Sequence, residues 1–140
     1  EMWIAEGVVD YLGSTQDVLP FLRAAHCVVL PSYYREGTPR SLLEAGAIGR
    51  PIITTNMPGC RDVVVEHESG SLVAPRDVVQ LAAACEAFLE LAPKAQAAMG
   101  RASRRHIAKN YDEEIVIDAY LATLKHLFDQ SQPEKRRRAV

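Results

Sequence analysis

The 140-residue sequence predicts an α/β fold in which a parallel sheet is flanked by helices. Three observations point there. Two short runs, Cys27-Val28-Val29-Leu30 and Pro51-Ile52-Ile53-Thr54-Thr55, are nearly all apolar, as strands covered on both faces must be. Segments with apolar residues on a helical period lie between and after such runs, the alternation that builds parallel sheets through right-handed crossovers. Turn residues and prolines mark the boundaries.

Taken in order, Gly7-Val8-Val9-Asp10-Tyr11-Leu12-Gly13 reads as a strand closed by a glycine. Residues 17–25 space Val18, Leu19, Phe21 and Leu22 as a short helix would. The run at 27–30 follows, ended by Pro31-Ser32, and a loop covers 32–38. A helix is predicted over 39–48. Pro39 suits a first turn because its missing N–H is not needed there, and the Thr38 hydroxyl can cap it. Gly49 supplies a left-handed C-terminal position, and Pro51 prevents continuation into the strand at 51–55. After Pro58-Gly59, a short segment at 61–65 leads through Ser69-Gly70 to the brief run Ser71-Leu72-Val73, which Pro75 ends. Three helices finish the chain, at 78–91, 93–109 and from 112 or 113 to 129. The stripe Ile115, Ile117, Tyr120, Leu121, Leu124 and Leu127 on the last is read as core. Residues 1–130 are expected to form one domain and 131–140 a disordered basic tail containing Lys135-Arg136-Arg137-Arg138. About four strands are visible. A doubly wound domain usually has more, so the start of the domain is expected to be missing from the chain.

With 48% hydrophobic and 24% charged residues the sequence has a globular composition, and a net charge of −2 gives no electrostatic case for nucleic-acid binding. Cys27, Cys60 and Cys85 lie far apart, and neither they nor the scattered His26, His67, His106 and His126 have metal-ligand spacing; no metal is expected. No apolar run is long enough to span a bilayer, and the start lacks a basic segment leading into an apolar one, so a reduced, cytoplasmic protein without signal peptide or anchor is expected.

The chemistry concentrates after the apolar run at 27–30. In open α/β sheets ligands sit beyond the carboxyl ends of the strands, where loops enter helix N-termini. The helix opening at Pro39 there offers free backbone N–H groups and a positive dipole end, a natural site for a phosphate or diphosphate, and Gly37 allows close approach. Glu36 precedes this helix and Glu44 lies one turn inside it. A carboxylate accepts two hydrogen bonds at once, which suits the vicinal hydroxyls of a ribose or hexose. Taken singly these residues have ordinary explanations: Glu36 as a solvated loop residue, Glu44 as an i,i+4 partner of Arg40, Arg35 and Arg40 as solvated surface charges, and Tyr33 and Tyr34 as loop packing.

In combination they are specific. Pro31-Ser32, Glu36-Gly37-Thr38-Pro39-Arg40-Ser41-Leu42-Leu43-Glu44-Ala45 and Gly49-Arg50-Pro51-Ile52-Ile53-Thr54-Thr55, followed by Pro58-Gly59, Asp62-Val63-Val64 and Ser69-Gly70-Ser71-Leu72-Val73, resemble the signature of the retaining GT-B glycosyltransferases of family GT4, including its Glu-x7-Glu motif. The likeness covers roughly residues 7–90. It implies the Rossmann-like C-terminal half of a GT-B fold, truncated at its N-terminus. It also implies an enzyme that moves a sugar from a nucleoside diphosphate, a UDP- or GDP-sugar, to a glycan or lipid-linked acceptor with retention, as in polysaccharide or lipopolysaccharide biosynthesis. By the same resemblance Glu36 lies beside the transferred sugar and is the catalytic candidate. Glu44 binds the ribose; the amides of Thr38, Arg40 and Ser41, with Gly37 and Pro39, hold the diphosphate; and Tyr11, Leu12 and Gly13 contact the base through backbone groups. No cofactor and no metal are implied, because helix dipole and basic side chains stabilise the departing diphosphate.

The sequence departs from the family at Thr38, Arg40 and Asp62, which bears on donor choice. The family's basic pair and its N-terminal acceptor domain are not in this chain, so the fragment alone is expected to be inactive. The resemblance also implies peripheral association of the whole enzyme with the inner face of the membrane, to which the basic tail would contribute. A nucleotide-sugar epimerase of the same architecture and a non-catalytic α/β binding module are the alternatives.

Overall fold

A computed structural model describes residues 2–35 and 37–131; the basic tail expected at 131–140 lies outside these apart from Ser131. The sheet has three parallel strands in the order β1 (Val28–Leu30), β2 (Ile52–Thr55), β3 (Gly70–Val73). Val28 pairs with Ile52, and Ile52 in turn with Gly70. Two short helices precede it, α1 (Met2–Ala5) and α2 (Leu19–Ala24). Helix α3 (Arg40–Ala47) connects β1 to β2, and a 3-10 turn at Arg61–Val63 lies on the way to β3. Helices α4 (Val78–Glu90), α5 (Pro93–Asn110) and α6 (Glu113–Ser131) follow.

All four residues of β2 are buried, as its apolar run requires of the central strand. Alternation of side chains then sorts them to two faces. Ile52 joins Leu42 and Ala45 of α3, Val63, Val64 and Ile107 of α5 in the main core. Ile53 faces the opposite way, toward Phe88 and Ala84 of α4. Helices α3 and α5 therefore cover one face and α4 the other. Close packing of α3 on α5 depends on small residues: a Cβ on Gly46 would collide with Ile107, and one on Gly100 with the Gly49 carbonyl. Gly49 has φ 76°, the left-handed position that ends α3.

Several expectations are corrected. The segment 7–13 forms no strand; the amides of Val8 and Val9 instead donate to the Trp3 carbonyl at 2.9 and 3.2 Å. A strand needs a partner to take its ladder hydrogen bonds. The sheet of the described residues, β1-β2-β3, pairs with none of residues 7–13. Strand β1 is half-buried, not covered on both faces, with Val29 43% exposed at the sheet edge. The stripe on α6 is exposed: Ile115, Ile117, Tyr120, Leu121, Leu124 and Leu127 all lie on the surface, because α6 runs on past α5 without packing onto the sheet. No helix among the described residues is long and apolar enough to cross a membrane.

Cys27, Cys60 and Cys85 are thiols rather than disulfides. Burial, and secondarily the Cys85 thiol, push the Cys27 thiol up to about 11. Only the thiolate attacks an alkylating agent, so at pH 8 iodoacetamide should label Cys27 at least about a hundredfold more slowly than an unperturbed thiol. Peptide mass spectrometry over a time course checks this, and labelling at the rate of an unperturbed thiol would contradict the burial of Cys27.

Candidate functional site

The carboxyl ends of β1, β2 and β3 are Leu30, Thr55 and Val73, and the loops that leave them share one end of the domain. The first of these loops enters α3. Its entry differs from the sequence-based expectation: Pro39 itself occupies the N-cap, with φ −63° and ψ 124°, and no side chain caps the helix, so the Thr38 hydroxyl does not serve. The extended ψ of Pro39 turns the chain into the helix one residue later than predicted, and its buried ring seals the start. The Pro39 carbonyl accepts from Leu42 and Leu43 at 3.1 and 3.2 Å. The amides of Arg40 and Ser41 find no acceptor among the described residues, and both residues are exposed. The positive end of α3 thus faces solvent with donors that no described residue engages, beside exposed Gly37 and Thr38.

Glu44 lies one turn into α3 with its side chain 27% exposed, and the Arg40 Nε donates to its Oε1 at 2.8 Å. The Arg40 side chain is 90% exposed, so this pair contributes only tenths of a kcal/mol to stability. Its consequence is orientation. The pair engages one carboxylate oxygen and leaves the other for a further donor.

The start of the loop is tied down. The Thr55 hydroxyl at the end of β2 donates to the Ser32 carbonyl. The Tyr33 and Tyr34 hydroxyls are hydrogen-bonded at 2.9 Å, with ring centroids 4.2 Å apart. The Arg76 guanidinium sits 4.6 Å from the centre of the Tyr33 ring. This last contact joins the β1 loop to the β3 loop and was not legible in the sequence.

Of the residues singled out by sequence, the structure brings Gly37, Thr38, Pro39, Arg40, Ser41 and Glu44 together at one helix start. Glu36 lies outside the described residues. Tyr11, Leu12 and Gly13 lie on an exposed segment outside the helices and strands, where no described hydrogen bond ties them to α3. No group of three or more His, Cys, Asp or Glu among the described residues could hold a metal ion.

This arrangement, a parallel sheet with an anion-receptive helix start at its carboxyl end, has close counterparts. A family model described as "Glycosyl transferases group 1" matches residues 5–106. The chain belongs to this family. Among curated relatives of these group 1 glycosyl transferases, a glycogen synthase of Mycobacterium tuberculosis is 36% identical over 132 residues, covering 91% of this chain and 30% of that protein. An N,N'-diacetylbacillosaminyl-diphospho-undecaprenol alpha-1,3-N-acetylgalactosaminyltransferase of Campylobacter jejuni is 30% identical over 126 residues, covering 85% of the chain and 31% of the relative. The chain thus spans about a third of the length of these relatives. The sucrose-phosphate synthase of Thermosynechococcus elongatus superposes with a TM-score of 0.72 at 27% identity, over 81% of this chain and 28% of that one. Anabaena HepE in complex with UDP gives 0.80 at 21% identity, over 86% and 33%. The parallel sheet with flanking helices is that of the GT-B glycosyltransferases.

Proposed function

We propose that this chain carries the donor site of a retaining glycosyltransferase of family GT4, and that the whole enzyme moves a sugar from a UDP- or GDP-sugar to a glycan or lipid-linked acceptor. The observation that carries this reading is the start of α3, where the exposed amides of Arg40 and Ser41, without an acceptor among the described residues, stand one turn from the half-buried Glu44 carboxylate. A diphosphate resting on those amides would gain charge-assisted hydrogen bonds and the favourable end of the helix dipole. Glu44 would then lie within a nucleotide's length of the phosphates, its second oxygen free to accept from a ribose hydroxyl. Glu36 is assigned to the transferred sugar by its place in the Glu-x7-Glu motif.

The relatives support the substrate class. One bears the name of a glycosyltransferase acting on a diphospho-undecaprenol-linked sugar, and one structural neighbour is described with UDP bound. A lipid-linked acceptor would place the whole enzyme at the cytoplasmic face of a membrane, in assembly of a polysaccharide or lipopolysaccharide. No metal or organic cofactor is assigned to the site; the nucleotide sugar is substrate.

The test is turnover of a panel of UDP-, GDP- and ADP-sugars by the longest natural protein that carries this chain. One donor class should be used, and Glu44→Ala should raise its KM by about tenfold to a hundredfold, the loss expected when a hydrogen bond to a charged group is removed. Equal KM values in wild type and Glu44→Ala, on a protein that does turn over, would leave the ribose assignment without support and favour a different pose on the same helix.

A further inference from the structure

Arg76 is one of only two non-glycine residues among those described with a left-handed backbone, at φ 65°. That conformation is unfavourable for an L-residue with a long side chain, and a glycine would adopt it freely. The strain is held in place by its neighbours. The Asp77 carboxylate accepts from the Gln80 amide at 2.9 Å, the Gln80 side chain accepts from the Ala74 amide at 2.9 Å, and Asp77 N–H donates to the Ala74 carbonyl at 3.3 Å. The loop from β3 to α4 is thereby fixed, and it aims the Arg76 side chain across the carboxyl end of the sheet onto the Tyr33 ring.

Both residues line a cavity of about 320 Å³, with Thr55, Val73 and Leu81 among its other walls. Tyr33 therefore borders open space and is itself largely exposed. What restrains the tyrosine is the guanidinium on its face and the Tyr34 hydroxyl at its edge. Tyr33 is followed within a few residues by Gly37, Thr38 and the exposed amides of Arg40 and Ser41. Backbone strain that the surrounding structure maintains, at the end of a sheet where ligands bind, calls for a use.

We infer that Arg76 is a positioning residue for the diphosphate-binding loop: stacked on Tyr33, it fixes the segment that leads into the start of α3. Arg76 touches no part of the ligand in this scheme. It acts by holding the loop in the geometry in which its amides converge, which lowers the ordering cost of binding. The inference rests on the donor-site reading above.

Because glycine relieves the strain while deleting the stack, Arg76→Gly separates positioning from stability. Its melting temperature should equal or exceed that of the wild type, whereas affinity for a nucleoside diphosphate should fall by about threefold to tenfold, the range a cation–π contact supplies. Binding is probed by calorimetry or NMR titration with UDP and GDP, and with uridine and guanosine. The loss should be confined to the diphosphates, since the nucleosides make no use of the amides. Tyr33→Ala should reproduce the loss, Tyr33→Phe should not, and Arg76→Gly/Tyr33→Ala should be no weaker than either single variant. Unchanged diphosphate affinity in Arg76→Gly, an equal loss for the nucleosides, or a fall in affinity that merely tracks a fall in melting temperature would each overturn the inference. Glu44→Ala serves as the reference: if it too leaves diphosphate and nucleoside binding unchanged, the donor-site reading fails together with the inference, and if it weakens both while Arg76→Gly weakens neither, only the role of Arg76 is lost.

Discussion

Replacing Glu36 with alanine is expected to lower sugar transfer by about two to three orders of magnitude, the effect of deleting a group that stabilises charge at a reacting centre. The expectation follows from its place in the sequence, one residue before Gly37 and eight before Glu44, in a motif whose second carboxylate stands at the start of α3. Donor KM should change little, because the diphosphate amides and Glu44 remain. A fall in kcat with steady KM marks an interaction made mainly in the transition state, whereas a rise in KM alone would make Glu36 a second hydroxyl-binding residue. Steady-state kinetics on the donor class selected by the panel distinguishes the two.

The largest expected effect on stability comes from Gly70. A Cβ at this position would run into the carbonyl oxygen of Ile52, its register partner on β2. The obstacle is backbone in the central strand, which cannot swing aside as a side chain can. Gly70→Ala should therefore destabilise the domain by about 3 kcal/mol or more, a large fraction of what a domain of this size possesses. Gly37→Ala is the contrast, since a Cβ there meets nothing within 4 Å and the residue is exposed. Its urea midpoint should match the wild type, while affinity for the donor diphosphate falls if the chain must approach the ligand closely. Equal midpoints for the two variants would contradict the β2–β3 register.

Much of this was legible in the sequence for identifiable reasons. Pro39 and Gly49 bracket α3 because each supplies a backbone geometry that few residues can, and the apolar run at 52–55 could only be a covered strand. The helices at 78–90 and 93–110 were legible from apolar residues on a helical period. The segment at 7–13 was misread because strand propensity says nothing about whether a partner strand is within reach. The α6 stripe was misread for a related reason: periodicity identifies an apolar face, not what covers it. The Arg40–Glu44 pair was visible as an i,i+4 spacing, and the structure forms it. Contact between Arg76 and Tyr33 left no mark at all, since a left-handed arginine has no compositional signal and the two loops meet only once the sheet is assembled.

The central claim is that a nucleoside diphosphate seats on the start of α3. The most direct measurement is an NMR titration of the isotope-labelled chain with UDP and GDP, following backbone amides. The account predicts that the largest shifts fall on Thr38, Arg40 and Ser41 with a smaller response at Glu44, and that Glu44→Ala weakens binding without moving the site. Shifts centred instead on the hollow between His67 and the α4–α5 junction, around Leu91 and Met99, would contradict it.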